Sequence, residues 1–430
     1  MKHLKLFLTA LLFAVSMNTW AEDTIRVSGI LYTIVTDSEV VVKNYPCTRT
    51  SSVDMFTIRI KSSITYSDKT YKVVGFAPKA FSDVGHIGGL KFPETITEIG
   101  DSAFYGNPWS IGQYASSLYN SATYKNYKKL MRLENIKTIG DYAFCDCGRL
   151  YYIDLPNVTS IGNYAFYNCK YFYSYNLFPN DTLKFPSTLT TIGDWAFGSN
   201  VYANIYRNTA HMIIPSTVTS IGEGAFAGNW RSTIDLSASI DTVKRLAFFQ
   251  CDTISKIPET VKVIEDTAFA VCTFADATIP SSVKYIGKCA FTSCTMDSII
   301  TIPSNVEYIG EYAFKNTYQN CNTKAIYSYI QEPFEIDESV FDEDHYENTT
   351  LYVPKGTKTK YENTSAWKKF FKIEEMEDET TDITSVDTKN DDKNKVTEIY
   401  NINGTRAKEL QRGVNIIKTK GGKTKKVIKR

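Results

Sequence analysis

The chain has 430 residues, with 48 Lys and Arg against 47 Asp and Glu, a formal net charge of +1. So even a balance excludes the basic footprint with which a nucleic-acid binder neutralises phosphates, and 43% hydrophobic residues exclude a chain disordered throughout. Its length would ordinarily mean two or three globular domains, an expectation that an internal repeat overrides.

Residues 1–21 place Lys2 and Lys5 before the apolar run Leu6 to Val15 and end in Thr19-Trp20-Ala21. This is the pattern of a secretory signal peptide cut before Glu22, and the run is too short to span a bilayer. No later stretch reads as a transmembrane helix, and no cysteine lies near the expected cut to carry a lipid anchor. The expectation is an exported mature chain. From 22 to 75 the apolar residues alternate, as in Ile30-Leu31-Tyr32-Thr33-Ile34-Val35 and Phe56-Thr57-Ile58-Arg59-Ile60, with a hairpin pattern from Ile64 to Val74. These short strands predict an N-terminal β cap.

Residues 76–345 repeat one unit, Ile-Pro-x-x-Val-x-x-Ile-Gly-x-x-Ala-Phe-x-x-Cys. Its Phe recurs at Phe81, Phe104, Phe144, Phe166, Phe197, Phe226, Phe248, Phe269, Phe291 and Phe314, with a worn copy at Phe341. From Phe226 to Phe314 the intervals, by subtraction of residue numbers, are 22, 21, 22 and 23 residues. A fixed period of this size means a solenoid, whose coils bury their apolar faces only against one another. Within a coil the Ile, Val and Phe positions are expected inside, at about 2 kcal/mol for each large side chain buried. Proline should end a strand, the glycine should permit a bend, and the residue after it (Asp101, Asp141, Asn163, Asp194, Glu223, Lys288 or Glu311) should cap a short helical turn. Cys147, Cys169, Cys251, Cys272 and Cys294 stand three residues after a repeat Phe, where Asn107, Asn200 and Asn229 stand in other coils. One phase shared by thiols and amides predicts a buried ladder that satisfies backbone groups, with the thiols free.

The unit resembles that of the BspA-like leucine-rich repeat family, over about Val74 to Phe341. The resemblance implies a leucine-rich-repeat-like, right-handed coil of short strands and short helical turns, with the N-terminal β cap and a small C-terminal β domain at its ends. It also implies an exported bacterial surface protein, since several such proteins are implicated in adhesion to host matrix proteins or other cells.

After the repeats, 346–374 carries Thr350-Leu351-Tyr352-Val353-Pro354 followed by Tyr361, Trp367, Phe370 and Phe371, a predicted C-terminal cap whose aromatics cover the last coil. Residues 375–395 turn acidic and polar and read as a linker. Residues 396–430 recover strand alternation in Val396 to Ile402 and Gly413 to Lys418, with a turn at Asn403-Gly404 and a basic end. This segment is similar to a shortened form of the β-sandwich sorting domain of proteins exported by the type IX system of Bacteroidota; the other reading is a small basic β domain.

The histidines His3, His86, His211 and His345 are scattered, and no nucleophile elbow, metal-ligand spacing or phosphate loop is present. No cofactor, metal or catalytic site is expected. The spacing is informative instead. Phe104 to Phe144, Phe166 to Phe197 and Phe197 to Phe226 span 40, 31 and 29 residues by subtraction, with the excess at Pro108 to Leu133, Lys170 to Leu183 and Val201 to Met212. Insertions at one phase project from one edge. They carry Trp109, Tyr114, Tyr119, Tyr124 and Tyr127; Tyr171, Phe172, Tyr173, Tyr175 and Phe178; and Tyr202 and Tyr206, with Trp230 beginning the next turn. Aromatics of this kind are enriched at binding surfaces, and they also pack on one another to hold long loops down. The expected function is an exported, non-catalytic, monomeric recognition module for a protein or glycan ligand, binding through Trp109, Tyr114, Tyr119, Tyr171, Phe172, Tyr173, Tyr175, Tyr202, Tyr206 and Trp230. The alternatives are a scaffolding protein of the cell envelope or biofilm and an unrecognised glycan-processing enzyme. A second aromatic row, Tyr142, Tyr164 and Trp195, stands at the fourth place of the hexapeptide and suits either binding or coil-to-coil stacking.

Overall fold

The structure, a computed structural model, describes residues 23–44, 56–82, 87–106, 134–147, 155–169, 182–199, 210–230, 232–295, 299–316 and 323–376, together with the strand backbones 396–401, 406–407, 413–419 and 424–429. The segment read as a signal peptide, the acidic stretch 377–395 and the turn at Asn403-Gly404 lie outside these residues.

The repeat Phe side chains form one continuous column. From Phe81 to Phe341 each ring stacks on the next at centroid distances of 5.1 to 5.7 Å, within 14° of parallel. Both the rings and the residues before them, alanine in each coil except for Val340 before Phe341, are buried. The alanine keeps the narrow coil from overfilling beside a side chain that fills its centre.

Two runs of parallel strands flank the column. One is built of two-residue strands such as Thr138–Ile139, Ser160–Ile161, Thr191–Ile192 and Ser220–Ile221, each with its first residue outward and its Ile or Val inward. It resumes in Thr242–Val243, Val263–Ile264, Tyr285–Ile286 and Tyr308–Ile309. The other pairs Thr182–Lys184, Ala210–Ile214, Ser232–Leu236, Thr253–Ile254 and Thr273–Phe274. Leu183 and Met212, expected at the ends of insertions, instead sit in these strands as a register pair with both side chains in the core. Proline follows the strand in Ile302-Pro303, and Val306 N–H bonds back to Pro303 O at 3.3 Å. Threonines tie the corners: Thr159 Oγ1 donates to Lys137 O and Thr190 Oγ1 to Thr159 O, each at 3.0 Å.

The hexapeptide is not the short helical turn that was expected. Among the described residues, helices occur only late, in α1 (Glu343–Asn348), α2 (Lys358–Asn363) and the 3-10 turn Trp367–Lys369. In the hexapeptides alternate N–H groups close tight turns within the coil and reach across to the next one. Ala103 N–H bonds to Gly100 O and Tyr105 N–H to Ser102 O, whereas Ser102, Phe104 and Gly106 donate to Asp141, Ala143 and Cys145 O at 2.7, 2.8 and 3.0 Å. The fourth position adopts left-handed backbone with φ between 54° and 60° in Ser102, Tyr142, Tyr164, Trp195, Gly224, Leu246, Thr267, Cys289 and Tyr312. For a non-glycine residue that costs about 1–2 kcal/mol, offset at Ser102, Tyr142, Tyr164, Trp195, Leu246, Thr267 and Cys289 by the N–H that each donates to the next coil.

At the N-terminal end Thr24–Val27, Ile30–Thr36 and Glu39–Asn44 form antiparallel pairs. Glu39–Asn44 then pairs in parallel with Lys69–Phe76, itself paired to Ser63–Tyr66 as a hairpin and to Glu98–Ile99 of the next coil. At the other end Phe341 meets Trp367 at 5.9 Å and Phe370 at 5.3 Å, and Tyr361 lies edge-on to Trp367 at 5.3 Å. Trp367 and Tyr361 are fully buried, with Trp367 Nε1 donating to Phe334 O at 2.9 Å. Phe371, expected among the covering aromatics, is 87% exposed. A separate unit spans Met376–Arg430; its strands Val396–Asn401, Arg406–Ala407, Gly413–Thr419 and Thr424–Lys429 form an antiparallel sheet with Arg406–Ala407 and Thr424–Lys429 outermost.

Candidate functional site

The turn edge is built by three rows that run along the array. In the first, the residue after glycine does not cap a helix; it bonds the next coil. Asp101, Asp141, Asn163, Asp194 and Asp266 each accept, through Oδ1, the N–H of the equivalent residue one coil on, at 2.7 to 2.9 Å. The glycines are needed for this approach rather than for a bend, because none of those before Asp141, Asn163, Asp194, Glu223 or Lys288 has positive φ. A Cβ on Gly193 would stand 2.5 Å from Asn163 N. Where Lys244 and Glu265 replace glycine, the contact changes form: Glu265 accepts Arg245 N–H at 2.9 Å and the Arg245 guanidinium pairs with Glu223.

The second row is the ladder of thiols and amides. Cys147, Cys169, Cys251, Cys272 and Cys294 donate Sγ–H to the carbonyl of a Phe in the preceding coil (Phe104, Phe144, Phe226, Phe248 and Phe269) at 2.9 to 3.2 Å, and Asn229 Nδ2 does so to Phe197 O at 2.9 Å. These thiols are free, as expected. Burial, reinforced by neighbouring thiols, pushes Cys169, Cys272 and Cys294 well above the ordinary thiol range. Cys145 is pushed up to about 12, first by burial and then by Asp146.

The third row is aromatic, with Tyr142 exposed and Tyr164, Tyr167 and Trp195 half-buried. Tyr142 stacks on Tyr164 at 4.8 Å and 1°, Tyr164 on Trp195 at 6.4 Å and 12°, and Tyr167 stands edge-on to both Tyr164 and Trp195, at 5.4 and 6.2 Å. Trp195 is bedded on glycine, since a Cβ on Gly224 would come within 2.4 Å of its Cε2 and one on Gly198 within 2.8 Å of its Cε3. Partial burial, then Tyr142, Tyr167, Asp194 and Glu223, push the Tyr164 hydroxyl above its usual range. Stacking is thus realised, and the ring edges still face solvent.

Of the residues selected from sequence, Trp109, Tyr114, Tyr119, Tyr171, Phe172, Tyr173, Tyr175, Tyr202 and Tyr206 lie outside the described residues. Trp230 is described and is 56% exposed. Sequence reasoning passed over Tyr285 and Tyr308, stacked at 4.6 Å between the ion pairs Lys284–Glu307 at 2.8 Å and Lys288–Glu311 at 2.6 Å. It also passed over Tyr327 and Tyr352, stacked at 4.7 Å. The available signal was two tyrosines at one phase in consecutive coils. Lys288 and Lys315 hold their ammonium groups 5.6 and 5.0 Å from the Tyr312 ring centre, so the coils at Phe291 and Phe314 are strapped together on the outside. Among the described residues no cluster of His, Cys, Asp or Glu could hold a metal ion, and no helix is long and apolar enough to cross a membrane.

Comparison with known proteins gives the family. Six copies of the BspA type leucine rich repeat region match the chain, over 58–173, 116–255, 170–294, 219–347 and 252–374. No curated protein matches it. Among solved structures, it is similar to a leucine-rich repeat protein from Bacteroides ovatus, at 20% identity and TM-score 0.48, covering 82% of this chain and 76% of that one. It is similar also to a leucine rich cell surface protein from Faecalibacterium prausnitzii, at 20% identity and TM-score 0.38, covering 84% and 96%. A third similarity is to the pneumococcal vaccine antigen PcpA, at 16% identity and TM-score 0.39, covering 84% and 100%. Matched from residue 58 to residue 374, the chain belongs to the BspA type leucine rich repeat family.

Proposed function

We propose that this is an exported, non-catalytic recognition protein of the cell surface, holding a protein or glycan partner along the turn edge of its N-terminal and central coils. The observation that carries the proposal is the surface row of exposed Tyr142 and half-buried Tyr164, Tyr167 and Trp195, ordered coil on coil by ring contacts. The segments bearing Trp109, Tyr114 and Tyr119, then Tyr171, Phe172, Tyr173 and Tyr175, then Tyr202 and Tyr206 each follow a hexapeptide turn of this region in sequence. Trp230 adds an exposed ring to the next coil. Large rings with a polar handle give contact area at low entropic cost, and a solenoid edge changes its side chains without altering the column inside.

The test is to screen the chain from Glu22 onward against matrix proteins and a glycan array, then to repeat it with Tyr171, Tyr173 and Tyr175 replaced by alanine. The expected result is saturable binding in the parent and a marked loss in the variant with the fold unchanged. Undiminished binding by a folded variant refutes the assignment of the edge.

A further inference from the structure

Among the described residues the row of rings stops at Tyr142. Lys79, Ser102 and Tyr142 occupy the same left-handed position, φ 61°, 54° and 56°, on three adjacent coils, joined by Lys79 N–H to Asp101 O at 3.0 Å and Ser102 N–H to Asp141 O at 2.7 Å. The column rises 5.2 Å from Phe81 to Phe104 and 5.1 Å from Phe104 to Phe144. Lys79 and Tyr142 therefore stand two coil steps apart, and among the described residues a serine holds the equivalent place between them. The next two coils fill the equivalent place with Tyr164 and Trp195, in ring contact with their neighbours. A ring in contact with Tyr142 would lie about 3.5–4 Å from it, and Ser102 is too short to supply one. Tyr142 is 40% exposed, and its one ring neighbour among the described residues is Tyr164, on the opposite face.

We infer that this gap is a subsite for one neutral pyranose of a glycan, seated with its C–H face on the Tyr142 ring; the inference rests on the recognition reading above. The walls select the chemistry. Tyr142 offers an apolar face, while Lys79, the Ser102 hydroxyl and Asp101 offer donors and acceptors to a rim of hydroxyls. Asp101 uses Oδ1 for Asp141 N–H at 2.9 Å and accepts nothing on Oδ2 among the described residues. Tyr105, 37% exposed, holds in this coil the place that Tyr167 holds beside Tyr164 and Trp195. Lys79 and Asp101 carry opposite charges, so together they favour neither an anionic nor a cationic ligand. A purely apolar ring would gain nothing from these three polar groups. A pyranose has both the apolar face and the hydroxyl rim.

The test is saturation-transfer NMR on the full chain with methyl β-glucopyranoside, methyl β-galactopyranoside and methyl α-mannopyranoside as probes. At least one should receive saturation, strongest on the C–H groups of one ring face. Tyr142→Ala should weaken its binding about tenfold or more, the loss expected of one ring contact. Ser102→Tyr should abolish the signal by completing the row. This variant is expected to fold, because Tyr142, Tyr164 and Trp195 already hold aromatic side chains at the same backbone angle. A thermal midpoint at or above the parent's would confirm that it has folded. No signal from any of the three sugars overturns the subsite, as does an undiminished signal in folded Ser102→Tyr. A response to N-acetylproline amide in place of the sugars also overturns it and assigns the gap to a protein partner. If the parent captures a matrix protein or array glycan but gives no signal with these sugars, the subsite falls and the recognition reading stands. If the sugars bind but the triple alanine variant changes nothing in the screen, the loop assignment falls and the subsite stands.

Discussion

Replacing Gly222 by alanine puts a methyl group where the preceding coil already lies. The added Cβ would stand 2.3 Å from Asp194 N, 2.4 Å from Gly193 C and 2.5 Å from Asp194 Oδ1. Two of these atoms are backbone and cannot rotate aside, and ordinary carbon contacts begin near 3.5 Å, so the coils must part locally by about 1 Å. That movement strains two bonds between the same coils, Gly222 N–H to Ile192 O at 2.9 Å and Glu223 N–H to Asp194 Oδ1 at 2.8 Å. Overpacking costs about 1–3 kcal/mol and each of the two weakened hydrogen bonds about 0.5–1.5 kcal/mol, so the expected loss is about 2–6 kcal/mol. Urea unfolding followed by tryptophan fluorescence measures it, because Trp195 sits in this pair of coils. Gly356→Ala is the control: its Cβ would meet nothing within 4 Å although φ is +77°, so it carries the conformational penalty alone, about 1–2 kcal/mol. Close approach predicts that Gly222→Ala is the more damaging change. A Gly222→Ala variant within about 0.5 kcal/mol of the parent, or milder than Gly356→Ala, would refute the reasoning.

Two further outcomes follow from the interior. Phe248 is fully buried and stacked on Phe226 at 5.6 Å and Phe269 at 5.5 Å, so Phe248→Ala should cost about 3–5 kcal/mol. Hydrogen exchange should show the loss of protection spreading to the coils on both sides, and loss confined to one coil would contradict a shared column. The buried thiols should resist iodoacetamide at about pH 8 in the native chain and react once it is denatured; rapid native alkylation of Cys169 or Cys272 would contradict their burial. Their folded-state pKa values lie above the unfolded ones, so their contribution is full below about pH 8.5 and is lost as pH rises towards the folded values. The urea midpoint should therefore decline from about pH 8.5 upward, and replacing Cys169 and Cys272 by alanine should flatten that decline.

The column was legible because one residue type at one phase, Phe after Ala, has no competing explanation across so many coils. The ladder was legible for a related reason: a thiol and an amide alternate at one phase only if the position asks for a small donor. The hexapeptide's conformation was not. Tyr142, Tyr164 and Trp195 disobey the rule that left-handed backbone calls for glycine, and only Gly224 carries that mark. The glycine that is written into nearly every coil, at Gly140 or Gly193, serves close approach instead, a property of two coils together that no single repeat displays. Nor could spacing tell where an insertion ends and a strand begins. Leu183 and Met212 were assigned to the wrong side of that line because their strands start only after a long interval without the repeat. At the site itself the ring row was visible, but the vacancy at Ser102 has meaning only when Lys79 and Tyr142 are known to be its neighbours.

Each ladder sulfur is shielded by the coil it bonds to, so the shield exists only after two turns of chain have met. Before that moment the cysteines are ordinary solvated thiols, and those one rung apart, such as Cys251 and Cys272, are separated by only about twenty residues of flexible chain. An oxidant encountered then would tie them into a loop and deny the Phe carbonyls their donors. Oxidative damage to this protein is therefore a race against its own winding.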